Sequence, residues 1–406
     1  LARPITDLAQ KILATNNSGS RGGVSVFNIK NGHCCDEGKN VPLSSFGTNE
    51  RDDLGQWKCP SVKVRSGDLR HDKHCISSKY LEWTGPPLLH RNPTIVMQGC
   101  AHNVLESLEK RYFKVTPDPK PKLIDWALVD RIVDDLARRI KENLQPFDAP
   151  NFLRNKKGRL RSRYTMAYNK ILKHGLDLNR NSDIAAFVKL ERYYEGGKAP
   201  RMIMGRNPMF NIPYAQIIEP IERAFFSLEQ VANACDYVKC GEKFSKLVGE
   251  WFMENDMSKY ESSQRFLTLQ LEHLVYSLVL PEQWELIDTL FAYKIRKKGH
   301  TNTGVNFDFV ECRGSGDMDT SLGNGILNYI STQYFLIKNY CPQCELSACT
   351  IPGCRSYKFV LKGDDSYASI PRFSRYVNTY ELFGFDAKII IRKQPEDVEF
   401  CSGHFP

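Results

Sequence analysis

The sequence predicts an α+β fold, on three observations: several stretches with helical spacing of apolar residues, short apolar runs with the composition of strands, and an Asp-Asp pair between two such runs at 358–369. No internal repeat interrupts this reading. Residues 1–105 are loop-rich, with Gly, Asn, Ser and Pro among short apolar runs, and form a region of uncertain fold. At 123–144, Leu123, Trp126, Val129, Ile132, Val133, Leu136 and Ile140 recur at helical intervals, which predicts an amphipathic helix. RNKKGRLRSRYTMAYNKILKHGL (154–176) holds Lys156, Lys157, Arg159, Arg161 and Arg163 among its bases and no acid. A basic stripe interleaved with tyrosines suits a polyanion such as RNA, although a solvated face has the same composition. A helix is predicted over 215–234, with Pro220 expected to kink or restart it. A strand at 246–256 precedes a helix from about Ser262 to Leu280. After the basic YKIRKKGH (293–300) come a glycine-bracketed loop and a helix from Thr320 to about Ile337. The hairpin around Asp364 and Asp365, a helix over 373–383 and the strand AKIIIRK complete the chain.

With 406 residues, 41% of them hydrophobic, the chain can bury a sizeable core and divides into two or three subdomains. A formal charge of +9 favours an anionic partner. Thirteen cysteines, an odd number with no secretory signal before them, point to reduced thiols and a cytosolic compartment. The closest approach to a membrane span, FLTLQLEHLVYSLVL, carries Glu272 and His273 and stops at Pro281, so it reads as a core helix. The chain starts at Leu1 and not at Met, and is expected to be a fragment or a processed piece.

Adjacent aspartates are a poor choice for a turn that only has to turn, because like charges repel and strands are depleted in Asp. Asp256 lies at the end of the strand through Trp251 and Phe252, and Glu261 near the start of the next helix. Two strands delivering carboxylates to one sheet edge make a site for a pair of divalent cations of the kind used in phosphoryl transfer, and oxygen ligands suit Mg²⁺. Ser315, Gly316, Thr320 and Asn324 form the pattern SGxxxTxxxN. Its glycines permit a close backbone approach, and its hydroxyl and amide groups can read a ribose 2′-OH.

The series DMSKYE, SGDMDTSLGN, KGDDS and EFCSGHF, with APRMIMGRNPMFNIPYAQIIEPIE upstream, resembles the RNA-dependent RNA polymerases of positive-strand RNA viruses, in particular the tombusvirus-like branch. It covers roughly residues 185–405. The resemblance implies a right-hand polymerase with fingers at 106–245, a fingers insertion at 282–312, an antiparallel palm at 246–281 and 313–400, and at 401–406 only the start of a thumb that is otherwise largely missing. It implies that Asp256 and Asp364 hold two Mg²⁺ ions, replaceable by Mn²⁺, with Asp365 in support. Arg201 and Arg206 would grip the incoming triphosphate. Lys388 would protonate the leaving pyrophosphate, with Lys393 as the alternative. Ser315, Gly316, Thr320 and Asn324 would face the nucleotide and template. Glu261 departs from the family, which has Asp there. The longer side chain either shifts the carboxylate and loosens sugar selection or is absorbed by the backbone. Cys341, Cys344, Cys349 and Cys354 have a spacing open to two readings, a structural zinc or unliganded thiols. No standard spacing emerges among His33, Cys34, Cys35, Cys59, His71, His74, Cys75, Cys100 and His102. The implied partners are template and nascent RNA, nucleoside triphosphates and other replicase components, in host cytoplasm at membrane-associated complexes. The rival reading is a catalytically idle RNA-binding subunit; a reverse transcriptase fits SGxxxTxxxN less well.

Overall fold

A computed structural model describes residues 50–51, 57–58, 61–64, 94–113, 117–194, 199–341, 358–371 and 375–401. In chain order the elements that position the site are β1 (Ser61–Val64), α1 (Ala101–Ser107), α2 (Trp126–Glu142), α3 (Gly158–His174), β2 (Ile184–Val188), β3 (Met202–Arg206), α4 (Pro208–Phe226), β4 (Trp251–Ser258), α5 (Phe266–Val279), β5 (Arg296–Thr301), β6 (Val305–Val310), α6 (Thr320–Tyr340), β7 (Lys358–Lys362), β8 (Asp365–Ile370) and β9 (Asp386–Arg392). They fall into two units. The first contains Leu1–Val115, Asp177–Asn207 and Ala292–Asp317; the second contains Thr116–Leu176, Pro208–Phe291 and Met318–Pro406.

The first unit is built on a five-stranded sheet in the order β1-β6-β5-β2-β3, antiparallel except between β2 and β5. Burial alternates along β2, β3, β5 and β6, as expected of a sheet with one covered face. Val104 and Leu108 pack on that face against Ile184, Met204 and Phe307, and Phe113 meets Phe309 edge-on at 5.2 Å. The basic stretch at 293–300 is therefore not a uniformly solvated run. Lys297 points into the unit and is fully buried, whereas Arg296 and Lys298 face out.

The second unit carries an antiparallel sheet in the order β7-β8-β4-β9. Its central helix, α6, is buried on nearly every side from Leu322 to Ile337, which is why its sequence has no polar stripe. Phe225 and Phe359 pack on Tyr329, and Phe335 stacks on Tyr380. The amphipathic α2 turns Val129, Ile132, Val133, Leu136 and Ile140 inward as their periodicity predicts, but Trp126 at its start is exposed and Leu123, also exposed, precedes the helix. Asp125 caps it by accepting from the Leu128 N–H at 3.2 Å.

Several boundaries differ from those predicted. The helix placed at 215–234 is α4, which begins at Pro208, ends at Phe226 and runs through Pro213 and Pro220. The carbonyl that Pro220 leaves without its helical donor belongs to Gln216, an exposed residue that water can serve. The strand predicted from 246 starts at Trp251, and the helix predicted over 373–383 is a 3₁₀ turn, Thr379–Phe383, within the described residues. The helix from Ser262 is split into a single turn, Tyr260–Ser263, and α5. Cys344, Cys349 and Cys354 lie outside the described residues, as do the N-terminal histidines and cysteines apart from Cys100 and His102.

Candidate active site

The second unit gathers the carboxylates. Between β7 and β8 the chain reverses in two residues, Gly363 and Asp364, with Gly363 at φ +63°. A two-residue hairpin with a positive φ at its first position calls for glycine there, and the next residue is thrust to the tip. Asp365 is the first residue of β8 and pairs with Lys362. On β4, Asn255 faces Ser366, so the next rung sets Asp365 beside Asp256. On the other side of β4, Lys388 of β9 is the direct partner of Asp256, and both are exposed. Glu261 sits in the single turn after Lys259, whose left-handed φ of 49° bends the chain at the end of β4.

The electrostatics reflect this proximity. The Asp364 carboxyl is pushed up to about 6, first by burial and then by the charges of Asp365, Glu261 and Asp256. Asp365 is raised by burial and by Asp256 and Glu399, opposed by hydrogen bonds from Cys401. Burial and the Asp365 charge push the Cys401 thiol up to about 12, so it stays protonated and donates to that carboxylate. The EFC motif is legible in the sequence, but this role for its cysteine is not. Among the described residues no three His, Cys, Asp or Glu side chains are drawn together closely enough to hold an ion. The donor set nevertheless fits a hard divalent cation: it is all oxygen, and its members repel one another until a positive charge offsets them.

Helix α6 runs behind this cluster. Thr320 opens its first turn, and Asn324, one turn on, is buried. The Asn324 Oδ1 accepts from Gln264 Nε2 at 2.7 Å, and its backbone carbonyl accepts from the Tyr260 hydroxyl at 3.1 Å. One turn further, Asn328 Nδ2 donates to the carbonyls of Gly363 and Asp365 at 3.0 and 3.1 Å. Nothing in the sequence pattern assigns Asn328 this role. Nor does it single out Asn233, which accepts from the Gly363 N–H at 3.4 Å and donates to Ser321 at 2.9 Å.

Arg201, Arg206, Ser315 and Gly316 belong to the first unit. Arg201 is half-exposed, 3.7 Å from Glu191. Arg206 is not available to fork onto a triphosphate, which corrects the expectation from sequence. Its guanidinium is 2% exposed, pairs with Asp317 Oδ1 at 2.8 Å and donates to the carbonyls of Ser182 and Lys294 at 2.6 and 2.8 Å. Lys297 Nζ lies 3.5 Å from Asp317 Oδ2. The glycine of SGxxxTxxxN also has a local cause: Gly316 has φ +105°, and a Cβ there would fall 2.9 Å from Ile203 on β3. The Met204 N–H donates to the Ser315 carbonyl in the same place, at 2.6 Å.

Most of the basic stripe forms α3, where Arg159, Arg161 and Arg163 are exposed, as is Lys157 at its N-cap. Lys156 is partly covered, its ammonium 4.2 Å from the Phe152 ring centre. No described helix is long and apolar enough to cross a membrane.

Residues 78–349 match the family described as viral RNA-dependent RNA polymerase. The chain is similar to proteins named RNA-directed RNA polymerase. With that of Groundnut rosette virus it shares 26% identity over 60% of this chain and 30% of the relative. For Maize chlorotic mottle virus the figures are 25%, 75% and 33%, and for Tomato bushy stunt virus 25%, 55% and 29%. The chain thus matches only about a third of the length of these relatives.

Proposed function

The chain belongs to the viral RNA-dependent RNA polymerases, and from that membership we propose that it extends an RNA 3′ end on an RNA template, transferring nucleotidyl groups from nucleoside triphosphates during genome replication. The observation that carries the proposal is Asp364 at a hairpin tip within electrostatic reach of Asp256, Asp365 and Glu261. The sheet of the second unit would be the palm, and 106–245 with 282–312 the fingers. Asp256 and Asp364 would hold Mg²⁺, with Asp365 in support. Such a pair of ions, when bound, activates the 3′ hydroxyl and stabilises the leaving oxygen.

The chain's own groups do the rest. Lys388, exposed beside Asp256, would hold a proton for the departing pyrophosphate. Arg201 keeps half its side chain in solvent and can turn to a triphosphate. Thr320 and Asn324 would read the ribose and the template, and the exposed bases of α3 would track phosphates. A zinc held by Cys341, Cys344, Cys349 and Cys354 rests on their spacing.

Glu261, standing where the family has Asp, favours as a second reading an idle RNA-binding subunit. Template-directed extension of a labelled primer separates the two, using the full-length polymerase and its Asp364→Asn variant. Extension by the parent and none by the variant, at equal RNA affinity, supports the enzyme. Equal extension by both overturns the metal assignment, and an inert parent that still binds RNA selects the subunit.

A further inference from the structure

We infer that Asn328 is a positioning residue for the metal-binding hairpin, and that a buried relay of donors from Tyr380 through Thr332 holds it in place. The inference rests on the polymerase reading above and adds to it a role for residues outside the motifs that define the family.

A two-residue hairpin tip is inherently loose, since neither of its residues joins the ladder. Here the carbonyls on both sides of Asp364 are tied down by one side chain: the two Asn328 Nδ2 hydrogens go to Gly363 O and Asp365 O at 3.0 and 3.1 Å. Two carbonyl acceptors leave no choice about which end of the amide faces them. The Asn328 oxygen therefore points away from the hairpin, where it accepts from Thr332 Oγ1 at 2.9 Å. The Thr332 proton being committed, the hydroxyl 2.9 Å away on Tyr380 must be the donor in that contact. Ser366, on the strand that leaves the hairpin, lies 3.5 Å from Thr332 Oγ1. Asn328, Thr332 and Tyr380 are fully buried and Ser366 almost so, which leaves no water to substitute for a missing partner. Asn324 and Asn328 are one turn apart on α6, so the helix that holds the proposed ribose reader through Gln264 also fixes the tip that carries Asp364. A tip displaced by an ångström would move the Asp364 carboxylate relative to Asp256, and misplacement on that scale is costly to catalysis.

The test uses the full-length polymerase with Asn328→Ala, Asn328→Ser and Thr332→Val. As a packing control it uses Ile330→Val, a buried site on the same helix that is not among the hairpin's hydrogen-bond partners. Three quantities are read: kcat and KM for single-nucleotide addition, Mn²⁺ affinity of the protein alone by electron paramagnetic resonance titration, and the melting temperature. We expect Asn328→Ala to lower kcat by about tenfold or more, at little change in KM. Mn²⁺ binding should weaken several-fold, with Asn328→Ser in between. Thr332→Val, which keeps the amide and removes only its orienting donor, should show a smaller effect of the same kind, and it carries the test if Asn328→Ala does not fold. Ile330→Val should lower the melting temperature without moving kcat or Mn²⁺ affinity. The inference is overturned if the Asn328 and Thr332 variants bind Mn²⁺ as the parent does, or if their kcat follows melting temperature along the line set by the control. An inactive parent would instead remove the polymerase reading, and the Mn²⁺ titration would still decide the role of Asn328.

Discussion

At the scale of single residues, the two acidic motifs and the arginines of the PRxIxxR stretch were not equally legible. The Asp-Asp pair announces itself because a hairpin is local: turn residue, flanking strands and tip all lie within a dozen positions. Arg206 does not, because its partner Asp317 lies 111 residues away, and a side chain fit for phosphate is equally fit for a buried carboxylate. The pair makes a prediction. With both side chains 2% exposed, Asp317→Asn leaves Arg206 and Lys297 without their countercharge and should cost roughly 3–5 kcal/mol of stability. The lysine of Arg206→Lys should not substitute for the arginine, since an ammonium has three N–H donors for the four acceptors Asp317, Ser182, Lys294 and Arg296 and lacks the reach of the guanidinium fork. Urea denaturation of the variants checks this; a change below about 1 kcal/mol for both would return Arg206 to the candidates for binding triphosphate. Glu261 is the other residue to test. Its charge already acts on Asp364. If the backbone is adjusted to the longer side chain, Glu261→Asp falls short and lowers both kcat/KM and ribonucleotide preference, and a rise in that preference would show that it had not adjusted.

Among the elements, α2 and α6 were readable and α4 was misplaced, for opposite physical reasons. The apolar stripe of α2 has a polar reverse face to contrast with it, and α6 starts at a threonine after a glycine-rich loop. In α4 Pro220 suggested a kink or restart, yet packing carries the helix through it and through Pro213 as well. Where α4 meets α6 the fit is tight: a Cβ on Gly325 would lie 2.7 Å from the ring of Phe225, which is itself fully buried. Gly325→Ala should therefore destabilise the protein by about 1–3 kcal/mol in spite of the better helix propensity of alanine, and a melting temperature equal to or above that of the parent would refute it. The same helix offers a test by pH. Burial first, then Glu219 and Asp319, push the Glu222 carboxyl from 4.5 to about 7, against a downward pull from Lys156. Between those values the folded chain keeps a proton that the unfolded chain has released, so this group's stability contribution is intact below about 4.5 and declines as pH rises to about 7. Glu222→Gln should match the parent at pH 5 and exceed it at pH 8 by on the order of 1 kcal/mol, allowing for partial exposure. An equal gain at both values would trace the effect to something other than this proton.

For the whole molecule, the surplus of positive charge matters less than where it stands. A net +9 spread over 406 residues would attract RNA weakly and without direction. Part of it never reaches a surface, since Arg206, Lys294, Lys297 and Arg313 are buried, whereas Lys157, Arg159, Arg161 and Arg163 stand exposed together around one end of α3. Only Tyr164 and Ala167 of that helix are buried, so its fold depends little on the bases. The sequence showed this stripe because every base in it is consecutive or nearly so. It could not show that Lys156, inside the stripe, rests on the rings of Phe152 and Tyr164. If α3 tracks phosphates, each phosphate that is no longer neutralised reduces the slope of log affinity against log salt by about 0.7 for single-stranded RNA. Replacing Arg159, Arg161 and Arg163 by serine should then lower the slope by about 2 and weaken binding most at low salt. With the melting temperature unmoved, kcat at saturating RNA should stay the same. Fluorescence anisotropy with a labelled single strand at several salt concentrations measures the slope. A parallel line, displaced or not, would mean that these arginines never touch the backbone and that α3 is a solvated face.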